Sequence, residues 1–231
     1  MRPDEAGIIE SVSPDDPQRP GLGKFLAEEG AWLLGAFAAT ILTASFLAGR
    51  GGRLAAVAPA AALFGLHGLV GIHVVRTELK KLAGWFRVDR RAVLWGAAGG
   101  ASLLAFNGLY GLALERVGIV PPDVAAMLRG LLPESALLLW AAVLAPIVEE
   151  MYFRGRLQDT FTAKLGPGGA GLVCSLAFAA IHGIPAFLPA YLVFGYALLF
   201  LRRRTGGLVA PILAHMINNA FALIQWGQVS Q

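Results

Sequence analysis

AVLWGAAGGASLLAFNGLYGLAL, residues Ala92 to Leu114, carries no charged side chain. A bilayer's hydrocarbon core is about 30 Å thick, and an α-helix rising 1.5 Å per residue needs about 20 residues to cross it. This stretch is long enough and apolar enough to do so. Two earlier stretches, Gly30 to Gly49 and Leu54 to Val75, read the same way. Downstream the pattern changes. Ser135 to Val148 is apolar but runs straight into Glu149 and Glu150; Gly168 to Ile181 ends at His182; Ala186 to Leu201 is short; Thr205 to Trp226 is uncharged but holds His215, Asn218 and Asn219. The expected fold is all-α, a polytopic transmembrane helix bundle of about seven spans. A re-entrant element between Gly118 and Gly130 is an alternative eighth.

The composition agrees. Apolar residues make up 56% of the 231 and charged residues 15%, where about 25% charged is usual for a soluble domain. The net charge of +4 reads as membrane topology, because the basic residues sit in short segments between apolar runs and no nucleic-acid motif accompanies them. With the N-terminus placed inside, the inner segments hold Arg2, Arg19 and Lys24, the six basic residues from Arg76 to Arg91, then Arg154, Arg156 and Lys164, and finally Arg202 to Arg204; only Arg50, Arg53, Arg116 and Arg129 fall outside. Cytoplasmic loops are the Lys/Arg-rich ones, so the expectation is N-in, C-out. The predicted organisation is a polar tail over 1–29, rich in proline and acids and without a signal-peptide core, N-terminal membrane helices over 30–131, and a core over 132–231.

Ionisable side chains inside spans are costly and point to function. Three groups stand out. In Glu149-Glu150-Met-Tyr-Phe-Arg154, Glu150 and Arg154 are four apart, share a helix face and can neutralise each other. Glu149 points about 100° away and gets no partner from its own helix, which leaves it free for general-base chemistry. Phe178-Ala-Ala-Ile-His182 closes the fifth span. His215 and Asn219 share a face of the last one, where either side chain can donate to a developing oxyanion. With Arg154 paired inside the bilayer, Glu149, His182 and His215 lie roughly 22, 20 and 16 Å above the same membrane edge. They fall in one layer. Pro185 and Pro189, beside His182, mark the expected place where helices part to admit water into a pocket lined by Glu149, His182, His215 and Asn219.

Other polar and small residues read as structural: His67 and His73 as packing or interface residues, Asn107 as an interhelical hydrogen bond, Cys174 as a small core residue, and the Gly96/Gly100 pair as close helix packing.

The segments EEMYFRG, FAAIH and HMINN, in that order and spacing, resemble the EExxxR, FxxxH and HxxxN motifs of the CAAX-protease and bacteriocin-processing family of intramembrane proteases. The resemblance covers roughly 133–226. It implies a membrane protease in which Glu149 and His182 activate a water, His215 and Asn219 stabilise the tetrahedral intermediate, and Glu150, Arg154 and Phe178 support them. No cofactor is required in the favoured, metal-free reading; in the alternative, Glu149, His182 and His215 hold Zn(II). The expected partners are the lipid bilayer and a membrane-associated peptide or protein, with no nucleic acid. The expected location is the bacterial inner (plasma) membrane. Two further classes fit less of the sequence: a non-catalytic scaffold or immunity protein need not keep all these polar residues, and a proton-coupled transporter would be expected to show inverted repeats.

Overall fold

The computed structural model describes residues 21–120 and 124–229. Residues 1–20, with Arg2 and Arg19 of the expected tail, residues 121–123 and residues 230–231 lie outside the described part. Among the described residues there is no strand. The protein is a helical bundle.

Seven rods follow one another. They are α1 (Leu22–Gly49), α2 (Gly52–Glu78), α3 (Arg90–Arg116), α4 (134–165), α5 (167–181), α6 (Leu188–Thr205) and α7 (Val209–Val229). Helix α1 begins at Leu22 rather than at Gly30, so the last part of the expected tail is helical, and Glu29 on it is buried. In the re-entrant region the structure has a six-residue helix, Val124–Arg129, too short to cross a bilayer. By length and hydropathy alone five helical stretches qualify as spans, because α4 and α5 run on as one 48-residue stretch and α7 is counted as a shorter apolar helix.

Gly166 resolves that stretch into two. Its φ of 68° is left-handed and extended in ψ, and Pro167 follows. Glycine takes this conformation without a Cβ penalty, and proline opens the next helix with its fixed φ. Phe153 and Phe178 then meet with ring centroids 5.4 Å apart, whereas a straight helix would separate them by roughly 37 Å. The joint is therefore a reversal, and α4 and α5 form an antiparallel hairpin. The connection between α1 and α2 is equally tight, with positive φ at Gly51 and Gly52.

Helix α4 is the centre of the bundle. Half of its most apolar window is buried in the protein, against 11% for α1 and α2, so its charges are shielded from lipid by neighbouring helices. The outer face is apolar instead: Leu34, Phe37, Leu42 and Phe46 of α1, Leu109 and Leu112 of α3 and Phe200 of α6 are all exposed. Such a surface suits hydrocarbon, not water.

Helices α3 and α7 touch at backbone distance. A Cβ on Gly96 would lie 2.9 Å from Leu213 Cβ and 3.0 Å from the Ala210 carbonyl oxygen, and one on Gly100 would lie 3.0 Å from Ile217. Asn107 donates across the same interface to Asn218 at 2.7 Å. Both expectations, close glycine packing and an interhelical Asn107 bond, hold. Together they set the position of α7, which carries His215.

A second polar cluster ties α1 and α2 to α4. Arg156 donates to Glu29 and to Glu78 (2.8 Å), and His73 Nε2 lies 3.1 Å from Glu29 while its ring stacks on Trp32. His73 is thus a hydrogen-bond partner of Glu29 inside the bundle, beyond the packing or interface role expected of it.

Candidate active site

The segment that carries the two glutamates is not a regular α-helix. Leu139–Leu144 and Met151–Leu157 are π-helical, and the α-helical turns Ala145–Glu150 lie between them. Pro146 explains part of this. It has no N–H to give the preceding turn and its ring crowds the carbonyl four residues back, so the wider π turn accommodates it. Wide turns inside α-helices recur at functional sites.

Glu150 and Arg154 pair as the spacing predicts. Arg154 Nη1 donates to Glu150 Oε1 at 2.8 Å, and the two side chains are 0% and 2% exposed. Arg154 also lies over the Phe178 ring, 4.4 Å from its centroid. The same Glu150 oxygen accepts from His215 Nδ1 at 2.9 Å, while Oε2 is buried with no hydrogen-bond partner among the described residues. One carboxylate therefore orients a cation from its own helix and an imidazole from α7. With Nδ1–H given to Glu150, His215 turns Nε2 toward Glu149 Oε2, 3.9 Å away.

Glu149 gets nothing from its own helix, and its partners come from elsewhere. Its Oε1 lies 3.4 Å from His67 Nε2 on α2, and His67, His182 and His215 all interact with it electrostatically. His182 ends α5. Its Nδ1 is 2.7 Å from the Phe178 carbonyl oxygen. A carbonyl only accepts, so Nδ1 carries the hydrogen and a neutral ring presents the Nε2 lone pair. The ring is held between Phe178 (4.6 Å) and Tyr191 (4.1 Å). Phe178 is also 5.9 Å from the His215 ring. It is a common wall for Arg154, His182 and His215, which gives the phenylalanine of the second motif a physical role.

Asn219 is less committed to this centre. Its amide donates to the Ala141 carbonyl in the first π segment at 2.9 Å, and its oxygen accepts from Asn218 at 3.3 Å. One N–H remains for another partner.

With this geometry in view, comparison with known proteins is informative. The model of the family described as "Type II CAAX prenyl endopeptidase Rce1-like" matches residues 131–221. That segment is similar to this family. It holds all three motifs and every residue of the candidate site except His67. A Bacillus subtilis (strain 168) protein named "Putative membrane peptidase YdiL" is 28% identical over 137 residues, which is 58% of this chain and 56% of that protein. The chain thus aligns with little more than half the length of this relative. No solved structure matches the chain.

One expectation for this segment needs correction. Pro185 and Pro189 do not break a helix; each occupies the first turn of one, Pro185–Phe187 and α6, where a missing N–H costs nothing. A space of about 400 Å³ opens between α2 and α4, walled by Phe64, His67, Ile72, Trp140, Leu144 and Val148 among others. Glu149, His182, His215 and Asn219 do not line it, so it lies beside the carboxylate.

A second correction is His67, expected as a packing or interface residue. Its contact with Glu149 spans 82 positions of sequence, beyond any local spacing rule. The available signal was the rule already applied to α4 and α7, that an ionisable residue within a span points to function.

Zinc takes donor atoms at about 2.0–2.3 Å. Among the described residues no three His, Cys, Asp or Glu side chains are gathered closely enough for that. Glu149, His182 and His215 as folded do not fit a zinc ion, and no step below runs through one.

Proposed function

We propose that the protein is an intramembrane endopeptidase that hydrolyses a peptide bond in a membrane-associated substrate. The observation that carries this reading is the division of labour between adjacent glutamates. Glu150 is consumed by Arg154 and His215, while Glu149 lies against His67 of α2 and opposite His215 of α7, with His182 of α5 near enough to interact electrostatically. That is the arrangement of a base with nearby proton carriers, in a segment similar to the Rce1-like family.

The proposed sequence of events follows from the free atoms. Glu149, helped by the Nε2 lone pair of His182, takes a proton from a water as its oxygen attacks the scissile carbonyl. The carbonyl oxygen becomes an oxyanion. In its doubly protonated form His215 keeps Nδ1–H on Glu150 and offers Nε2–H to that oxyanion, and the remaining Asn219 N–H is the second donor. The proton held by Glu149 then passes to the leaving amine as the C–N bond breaks, and the carboxylate is restored. The substrate class, a peptide held at the bilayer, follows from the depth of the site. The family description supports a prenylated C-terminus as the first candidate.

The test is mass spectrometry of peptide termini in membranes from cells expressing the wild type or Glu149→Gln. New termini present only with the wild type are expected. Identical termini would sink the peptidase reading and leave a scaffold.

For orientation, the proposal is residence in a bacterial inner membrane with seven spans, N-terminus inside and C-terminus outside, on the distribution of basic residues. A periplasm-dependent reporter fused after Gln231 should be active and a cytoplasm-dependent one silent. The opposite pattern would mean that one of the seven rods does not cross.

A further inference from the structure

We propose that His67, on α2, is a positioning residue for Glu149. It holds Oε1 through a hydrogen bond from Nε2, so that Oε2 is presented toward His215. Its catalytic consequence rests on the peptidase reading above.

Four contacts bear on the proposal. His67 Nε2 lies 3.4 Å from Glu149 Oε1, while His215 Nε2 faces the other oxygen, Oε2, at 3.9 Å. The two oxygens are thus divided between histidines on different helices. Trp140, in the first π segment of α4, donates from Nε1 to His67 Nδ1 at 3.3 Å, and its ring meets the His67 ring edge-on. The Leu63 carbonyl oxygen lies 3.0 Å from the same Nδ1.

The indole behind the ring favours the form whose Nε2 faces the carboxylate with a hydrogen. Indole N–H only donates, so when Trp140 holds Nδ1 the proton of a neutral ring is on Nε2. A carbonyl only accepts, so the Leu63 carbonyl oxygen suits the other tautomer, with Nδ1–H and a lone pair on Nε2. The proposed bond belongs to the ring as Trp140 holds it, in which Nε2 carries the hydrogen and a Glu149 oxygen is its acceptor. A histidine placed only for packing has no need of an indole behind it and a carboxylate in front. The chain Trp140 to His67 to Glu149 resembles the outer hydrogen bonds that orient reactive groups elsewhere, whose loss typically costs about 10- to 100-fold in activity.

The geometry also assigns a job to the first π segment. The wide turns at Leu139–Leu144 aim Trp140 at α2, and the Ala141 carbonyl of the same segment receives Asn219. One local irregularity supports both flanks of the site.

The experiment uses the full chain in detergent or nanodiscs with an internally quenched, farnesylated peptide ending in a CAAX sequence as the probe. His67→Leu should lower kcat by about 10- to 100-fold with little change in KM. His67→Gln, whose amide N–H can still reach Oε1, should recover most of it. Trp140→Phe, which keeps a ring but loses the donor, should fall between them. Thermal unfolding of each variant reports packing separately. Wild-type kcat in His67→Leu, or no recovery in a normally folded His67→Gln, overturns the proposal.

A wild type that leaves this probe uncut would count against the peptidase reading with prenylated substrates, and positioning is then read directly. The infrared difference between wild type and Glu149→Gln isolates the carboxylate band. His67→Leu should shift that band and His67→Gln should restore it. A band indifferent to residue 67 overturns the positioning role whatever the substrate.

Discussion

Glu149→Gln is expected to reduce peptide hydrolysis to background while the protein folds and extracts like the wild type. The carboxamide has the shape of the carboxylate, and its oxygen still accepts the bond that His67 Nε2 offers Oε1. What it lacks is a lone pair basic enough to take a proton from water. Loss of a positioned general base costs about 10²- to 10⁴-fold, and no other carboxylate stands in for it. Glu150 is next in sequence, but its Oε1 is shared by Arg154 and His215 and its side chain is 0% exposed. The measurement is kcat on a cleavable peptide, with the thermal midpoint in detergent as the folding control. Full activity in Glu149→Gln would transfer the role elsewhere and remove the proposed mechanism.

Glu150→Gln is expected to fail in a different way, by losing stability first. The carboxylate neutralises Arg154 in a fully buried place and also holds His215 by Nδ1. A glutamine presents one oxygen and no charge, so the guanidinium is left buried without its counterion. Breaking a buried pair from one side costs about 3–5 kcal/mol. Arg154→Lys should not be a mild change either, because the planar guanidinium also lies over Phe178 and an ammonium does not reproduce that fit. Both variants should show a clearly lowered thermal midpoint, and activity that falls with loss of fold and not with loss of base. If Glu150→Gln is as stable as the wild type yet inactive, Glu150 is acting in the chemistry and the division between the two glutamates is wrong.

The contrast between these variants shows how much of the site local spacing could reveal. The i,i+4 relation of Glu150 and Arg154 is a property of any helix, and it survives even where the backbone widens to π turns at Met151–Leu157. The same rule left Glu149 without a partner on its own helix, which is correct. It could not name the partner from another helix. His67 lies on α2, far away in sequence, and meets Glu149 only because α2 packs against α4. The shared wall of Phe178 is similar: its spacing to His182 is legible, and its contacts with Arg154 and His215 are not.

The sequence by itself determined the solvent and the class of fold. Charge-free runs about as long as a bilayer is thick leave helices as the economical solution, since every backbone polar group must be satisfied within the segment. It also singled out the three polar groups, because a charge amid such runs is expensive unless it is paired or used. Only the tertiary structure decided three further points. The long helical stretch reverses at Gly166, Pro185 and Pro189 start helices instead of breaking them, and the carboxylate of Glu149 is braced from α2. The physical reason is range. Hydropathy and helical period are local quantities that the chain carries residue by residue, whereas the meeting of His67, Glu149 and His215 depends on the packing of three helices, set by backbone-close contacts such as Gly96 and Gly100 against α7.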